Sequence, residues 1–352
     1  MRINSLKLSN FRNHEKRELA FPQNTILIQG ANGSGKTNIL EAIHLLATTK
    51  SIKSEYDAEM IMHDKDFCRL DADIESHEDS NKLELIIKKS TLFENASTKT
   101  VKLNSVAKAL HKFAGTMNSV LFSPDEITML TGSPAIRRKY IDSILYQSDG
   151  DYKQAHVKYQ KALKGRNKLL EMIRETGKGH NLIELWEENL CGEAAVIQTK
   201  RATLFNYLTN EIKKYEMLIN GKNSTISIEL VQSLIDKDLL KHSRQKEIYA
   251  GKTLYGPHRD DFNVYLNNYS VARFSSRGQQ RAVLLALKFC EIDFIQSSIG
   301  ARPILLLDDI FSELDLVHRT NILSIMGLQQ TIVTSSEELP DIKAHFEKIL
   351  QL

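Results

Sequence analysis

The run Gly30-Ala31-Asn32-Gly33-Ser34-Gly35-Lys36-Thr37 constrains this chain more than any other stretch. It fits the pattern G-x-x-x-x-G-K-[ST], and both flanks are the ones that pattern requires. Thr25–Gln29 reads as a buried strand, and Asn38 to about Ala47 as an apolar helix. Glycines let backbone N–H groups converge on phosphate oxygens, and the helix N-terminus adds positive potential. Lys36 is placed to reach the β- and γ-phosphates of a nucleotide, and Thr37 to set its hydroxyl on Mg2+.

Such a loop needs an acidic partner at a strand end. Ile304-Leu305-Leu306-Leu307-Asp308-Asp309 supplies one. Four aliphatics predict a fully buried strand, with two carboxylates emerging at its C-terminal end, where ligands bind in open α/β sheets. Asp308 is the expected metal-side carboxylate. Asp309 stands where a general base can polarise an attacking water.

Between these two elements lies Ser275-Ser276-Arg277-Gly278-Gln279-Gln280, ahead of a long helix. Ser276, Arg277, Gly278 and Gln279 resemble the Ser-Gly-Gly-Gln signature of ABC ATPases. Physically this is a second anion-accepting helix N-terminus. One protomer cannot use two such ends on one γ-phosphate. In the ABC family the signature of one subunit closes over the ATP of the other. Ser312-Glu313-Leu314-Asp315 resembles the D-loop that couples the two sites.

At 352 residues the chain has room for about two domains. With 41% hydrophobic and 26% charged residues it reads as an ordinary globular protein. A formal net charge of +3 does not announce nucleic acid, so any DNA surface must be local. Cys68, Cys191 and Cys290 lack the spacing of a disulfide framework or a zinc site and fit a reducing cytoplasm. The N-terminal residues alternate polar and apolar and do not read as a signal peptide.

The expected fold class is α/β: an ATPase head of mixed sheets and helices, interrupted by an α-helical hairpin arm. We expect the head in residues 1–134 plus 251–352 and the arm, or lid, in 135–250. Residues 51–122 read as short antiparallel strands. The stretches Asp151–Arg174 and Leu182–Lys214 read as long helices joined through Gly177 and Gly179, with arms of about 40 Å.

Several stretches resemble the RecF family in particular: Leu8–Asn13, Leu121–Glu126, Gly132-Ser133-Pro134 with Arg137-Arg138, Tyr255–Asp261, and Pro303–Asp315. Together they span most of the chain. SMC-type coils run far longer, and the zinc-hook break-repair ATPase needs a Cys-x-x-Cys at its apex, absent here. The resemblance implies ATP and Mg2+ as cofactors, an ATP-dependent homodimer, and DNA near single-strand/duplex junctions as the target. It also implies work with RecR and RecO in placing RecA, in the cytoplasm. The alternative from the same head class is another small SMC-like or anti-phage ATPase. A transporter subunit would normally carry the Q-loop glutamine and switch histidine, where this chain has Pro124-Asp125 and Thr334-Ser335. With Asp309 in place of the usual glutamate, these departures predict slow hydrolysis, a switch more than a motor.

Between Tyr152 and Gly179 stand eight Lys or Arg against Glu171 and Glu175. The candidates for phosphate contact are Lys161, Lys164 and Lys168, with Lys153 within reach of the same face; the alternative is a solvated helical face. Arg12 is a candidate for nucleotide phosphate or DNA, or a plain surface arginine. Arg137 and Arg138 either position the arm or bind DNA. His258-Arg259-Asp260-Asp261 reads as ion pairing or a structural loop before a metal cluster.

Overall fold

A computed structural model describes residues 1–51, 53–76, 79–90, 96–218, 224–312, 316–340 and 342–352. The chain forms two compact units: one mainly from Met1–Ile127 and Arg277–Leu352, the other from Thr128–Glu216 and residues 224–276. The turnover points at 127/128 and 276/277 stand beside the sequence-expected 134/135 and 250/251. The first differs because residues 128–131 pack on the helical unit, the second because a small sheet at 226–270 belongs to it.

The first unit opens with β1 (Arg2–Phe11), β2 (His14–Ala20), β3 (Thr25–Gln29) and α1 (Lys36–Thr48). Next come β4 (Phe67–Ser76), β5 (Asp79–Lys89), β6 (Ser97–Leu103), β7 (Val106–Lys108), the one-turn α2 (Leu110–Phe113) and β8 (Ser119–Phe122). The second unit contributes α3 (Thr128–Thr131), α4 (Pro134–Ser148), α5 (Gly150–Thr176), α6 (Ile183–Glu211) and β9 (Ile226–Val231). It ends with α7 (Lys237–Ala250), β10 (Asp261–Leu266), β11 (Tyr269–Ser270) and α8 (Val271–Phe274). The first unit resumes with α9 (Arg277–Ile299), β12 (Ile304–Asp308), α10 (Leu316–Met326), β13 (Thr331–Ser335) and β14 (Lys348–Gln351).

Two sheets build the first unit. One is antiparallel in the order β2-β1-β4-β5-β6-β7. Its strands alternate: Cys68, Leu70, Ala72 and Ile74 of β4 are buried, as are Leu83, Leu85 and Ile87 of β5. One-sided burial of this kind is what an antiparallel sheet tolerates. A register shift between Ile3 and Ser5 lets Ile3 and Leu6 both enter the core despite their odd spacing. The other sheet runs β14-β3-β13-β12-β8, every pair parallel. It shows continuous buried runs, Thr25–Ile28 and all of β12.

Helix α1 packs against both sheets, and Ile39, Leu40, Ile43 and Leu46 join Ile26, Ile28, Leu306 and Ile332 in one core with the antiparallel strands. Every residue of α1 except Thr37 and Asn38 is buried, which takes packing partners on all sides of the helix. The parallel register sets Asp308 beside Thr334, Thr334 beside Ile28 and Ser335 beside Gln29, so the strand ends share one edge.

In the second unit α5 and α6 form the expected hairpin. Asp149 caps α5 by accepting from the Tyr152 N–H, and Gly177 ends it in the left-handed region at φ 69°. The hairpin interior is partly ionic. Arg166, fully buried, donates to Glu247 at 2.6 Å, Glu187 at 3.1 Å and Thr253 Oγ1 at 2.8 Å. Arg201 donates to Asp142 and Asp260, each at 2.9 Å, and to the Pro257 carbonyl at 2.7 Å. Removing one member of such a cluster strands a buried charge, at a cost of about 3–5 kcal/mol.

Arg166 therefore leaves the basic surface counted from sequence. Lys158 pairs with Glu193 and Arg174 with Glu175. The Pro257–Asp261 stretch is held by ion pairs and hydrogen bonds: Asp260 by Arg201, Asp261 by Arg137 at 2.5 Å, and His258 Nδ1 against Tyr159 Oη at 2.7 Å. Arg138 donates to the Asp260 carbonyl. Arg137 and Arg138 thus serve cohesion within this unit.

Candidate functional site

The loop from Gly30 to Thr37 leaves β3 and runs into α1. Gly33 and Gly35 adopt φ 81° and 97°, a region that β-carbons disfavour. A β-carbon on Gly35 would also stand 2.4 Å from the His14 ring, and one on Gly30 2.9 Å from Ser34 Oγ. Lys36, largely buried, donates to the carbonyls of Gly30 at 2.7 Å and Ala31 at 2.9 Å. Its ammonium thus lies on the loop it would share with phosphate. Ser34 Oγ is buried without a hydrogen-bond partner, as expected of a hydroxyl whose acceptor is a ligand.

Thr37 Oγ1 donates to Asp308 Oδ1 at 2.8 Å, and Thr334 Oγ1 donates to the same oxygen at 2.8 Å. Asp308 lies at the end of β12 and Thr334 beside it on β13, so the carboxylate is aimed from both sides. A hydroxyl and a carboxylate in contact are the two protein oxygens a phosphate-bound Mg2+ needs, the rest of its shell coming from water and phosphate. The donor set fits the ion.

Asp309 occupies the left-handed region at φ 49°, its N–H donating to the Thr334 carbonyl at 3.1 Å. Aspartate is one of the few non-glycine residues that adopts this region as a single residue, its short side chain hydrogen-bonding locally. Ser336 Oγ donates to Asp309 Oδ2 at 3.0 Å. Where the switch histidine is missing, Thr334 orients one aspartate and Ser336 the other.

Sequence reasoning missed a clasp on the loop. In the turn between β1 and β2, Asn13 Nδ2 donates to the Gly33 carbonyl at 3.0 Å, and Asn13 Oδ1 accepts from Asn38 at 2.8 Å. His14 Nε2 lies 3.1 Å from the Gly35 carbonyl; a carbonyl only accepts, so this nitrogen carries the proton. Burial lowers the His14 pKa and keeps the ring neutral. Arg12, which the sequence leaves open between phosphate or DNA contact and a plain surface arginine, is partly buried. It grips Glu41 of α1 with two hydrogen bonds, at 2.9 and 2.7 Å, and Ser54 and the Glu59 carbonyl with two more.

Ser276 and Gly278 are exposed where α9 begins at Arg277, and a β-carbon on Gly278 would meet nothing. Gln279 follows in the first turn of α9. Ser312 Oγ donates to the Asp309 carbonyl, while the remaining D-loop positions 313–315 lie outside the described residues. In the Pro124–Ile127 turn, Glu126 accepts from Lys288 of α9 at 2.7 Å, tying the turn to that helix. Lys161, Lys164 and Lys168 are exposed on α5, and no ion pair reaches them among the described residues. Ala31 and Asn32 are exposed at the tip of the phosphate loop.

The family model described as the RecF/RecN/SMC N terminal domain matches residues 2–344. The DNA replication and repair protein RecF of Herpetosiphon aurantiacus is 32% identical, the match covering 98% of this chain and 96% of that protein. Its counterpart in Shouchella clausii is 34% identical over 96% of this chain and 93% of its own length. Among solved structures, the recombination mediator protein RecF with ATP, of the RecFOR pathway, superposes with a TM-score of 0.87 at 30% identity, covering 96% and 92% of the two chains. The Smc head domain of Pyrococcus furiosus, at 16% identity and a TM-score of 0.52 over 99% and 92%, shares the fold alone. The fold is therefore that of an ABC-type ATPase head with an inserted helical arm. On a family match from residue 2 to 344 and near-full-length relatives about one-third identical, this chain belongs to the RecF family of DNA replication and repair proteins.

Proposed function

We propose that this chain is an ATP-controlled DNA switch of recombinational repair, a slow ATPase whose ATP-bound form pairs with a second copy and clamps DNA. The observation that carries the reading is the Thr37–Asp308 hydrogen bond at the shared strand edge, with Lys36 resting on the carbonyls of its own loop. The backbone of Gly30–Thr37 binds and orients the phosphates, and Lys36 exchanges its carbonyl partners for phosphate oxygen. Thr37 and Asp308 provide the metal's protein oxygens. ATP, when bound, supplies the transferable phosphoryl group. Asp309 then accepts hydrogen from the attacking water, held in place by Ser336. Aspartate is one methylene shorter than the usual glutamate, which keeps this step slow.

Ser276, Gly278 and Gln279 act on the nucleotide of the second copy, so ATP binding becomes association. Lys161, Lys164 and Lys168 supply sequence-independent phosphate contacts on DNA, at gaps or junctions between single and double strands. A relative described as a mediator in the RecFOR pathway supports a setting with RecR and RecO, and hence help in placing RecA. That setting is cytoplasmic. Calorimetric titration with Mg2+ and ATP tests the site. Wild type should bind, Lys36→Met should lose at least a hundredfold in affinity, and Thr37→Val should lose its dependence on Mg2+. Wild-type affinity in Lys36→Met would remove the proposal's basis.

A further inference from the structure

We propose that Phe274, backed by Tyr269, is the apolar anchor by which two copies of this chain hold together once ATP is bound. The proposal rests on the reading of Ser276 as a group that serves the partner's nucleotide. Phe274 is 69% exposed and Tyr269 66%. Their ring centroids lie 6.1 Å apart at 70°, an edge-to-face pair. Tyr269 follows the tight Asn267–Asn268 turn, with both φ angles positive, that joins β10 to β11. One-turn helix α8 buries Val271 completely yet leaves Phe274 outside. Two large rings in mutual contact and mostly in water form a small apolar surface at the edge of the signature, of the kind that marks a contact site when polar residues rim it.

Chain geometry says what covers it. Phe274 and Ser276 are two residues apart, so their α-carbons lie within about 7 Å. A stable pairing covers about 800 Å² per partner, a disc of roughly 16 Å radius. A second copy that brings phosphate to Ser276 and covers that area would reach Phe274 as well, and aromatic anchors of this kind carry much of the energy in such contacts. Arg273 and Arg277, both exposed, flank the ring and match the polyanion that the second copy would bring.

The test is sedimentation velocity of the full chain with Mg2+ and ATP across a concentration series. Phe274→Ala should weaken dimerisation at least tenfold, and Phe274→Ala with Tyr269→Ala further, while ATP affinity stays within twofold of wild type. Phe274→Tyr should retain most of the association. Tyr249→Ala, at an 85% exposed position on α7, should change nothing. Dimerisation of Phe274→Ala within twofold of wild type would overturn the proposal, as would an equal loss in Tyr249→Ala. Loss of single-strand binding with dimerisation unchanged would overturn it too and assign the rings to nucleic acid. Ser276→Arg separates the two layers. If it abolishes a dimer that Phe274→Ala keeps, only the anchor fails. If wild type stays monomeric with ATP, the anchor and the composite site fail together.

Discussion

Thr37 and Asp308, 271 positions apart in the chain, share a hydrogen bond of 2.8 Å. Neither residue reaches the other through local structure. Thr37 stands at the start of α1, after the loop that leaves β3, and Asp308 ends β12, with β13 between the two strands. The parallel sheet is what brings the loop and the carboxylate together. That arrangement separates the roles of the two aspartates.

Asp308→Asn should weaken Mg2+-dependent ATP binding, because it removes the charge from the oxygen that Thr37 and Thr334 both address. Asp309→Asn should bind ATP normally and hydrolyse it about 10²–10⁴-fold more slowly, the usual loss for a positioned base. Titration of ATP binding together with phosphate release distinguishes them. Equal loss of affinity in both variants contradicts the division.

The clasp from the β1–β2 turn makes its own demand. Asn13→Ala loses the hydrogen bond to Gly33 and the one from Asn38, each contributing about 1 kcal/mol net. ATP affinity should fall by roughly five- to thirtyfold with the fold intact. Gly35→Ala meets both a φ of 97° and a 2.4 Å approach to His14, and should abolish binding. Normal ATP affinity in Gly35→Ala would show that the loop does not need this conformation.

A pH dependence follows from His44, buried in α1 with Nδ1 3.1 Å from Ser119 Oγ. Burial, reinforced by the charge of Lys288, pushes its pKa from 6.5 down to about 3. The unfolded chain then binds more protons between these values, so this residue's contribution to stability is full above pH 6.5 and declines as pH falls toward 3. In denaturant titrations, His44→Asn should flatten the slope of stability against pH across that window. An unchanged slope would place the acid sensitivity elsewhere.

On DNA, each phosphate contact adds about 0.9 to the salt slope of duplex binding. Neutralising Lys161, Lys164 and Lys168 on both copies should make the slope shallower by up to ~5 and weaken binding evenly across sequences. Fluorescence anisotropy across a salt series reads this directly. Arg166→Met should instead lower stability and leave the slope alone, since that cation is buried between two glutamates. An unchanged slope in the triple lysine variant would make those side chains a solvated face.

Much of this was legible in one dimension because the signals are local. Gly30–Thr37 and the aliphatic run ending in Asp308-Asp309 are contiguous, and a buried parallel strand leaves no polar alternation to confuse it. Gly177 and Gly179 marked the arm's turn for the same reason. What escaped depends on tertiary contact. Nothing in Asn13-His14 says that the next turn of chain is the phosphate loop, and Ser336 gains meaning only once β12 and β13 lie side by side. Arg166 looked like its neighbours on a basic helix, but its place on the inner face of α5 sends it to Glu187 and Glu247. Strand β14 leaves little signature in the sequence because Lys348–Gln351 is short and weakly patterned, and its partner β3 lies at the other end of the chain.

The central claim is that ATP at Lys36 of one copy is completed by Ser276 of another. The most direct measurement mixes two defective variants, Lys36→Met and Ser276→Arg, each labelled with one member of a fluorescence energy-transfer pair. Alone, neither should associate with ATP. Mixed, the intact loop of the Ser276→Arg copy meets the intact signature of the Lys36→Met copy, restoring one of the two sites. The account predicts an ATP-dependent transfer signal in the mixture, between that of wild type and none. No signal in the mixture while wild type associates, or full association of either variant alone, would contradict it.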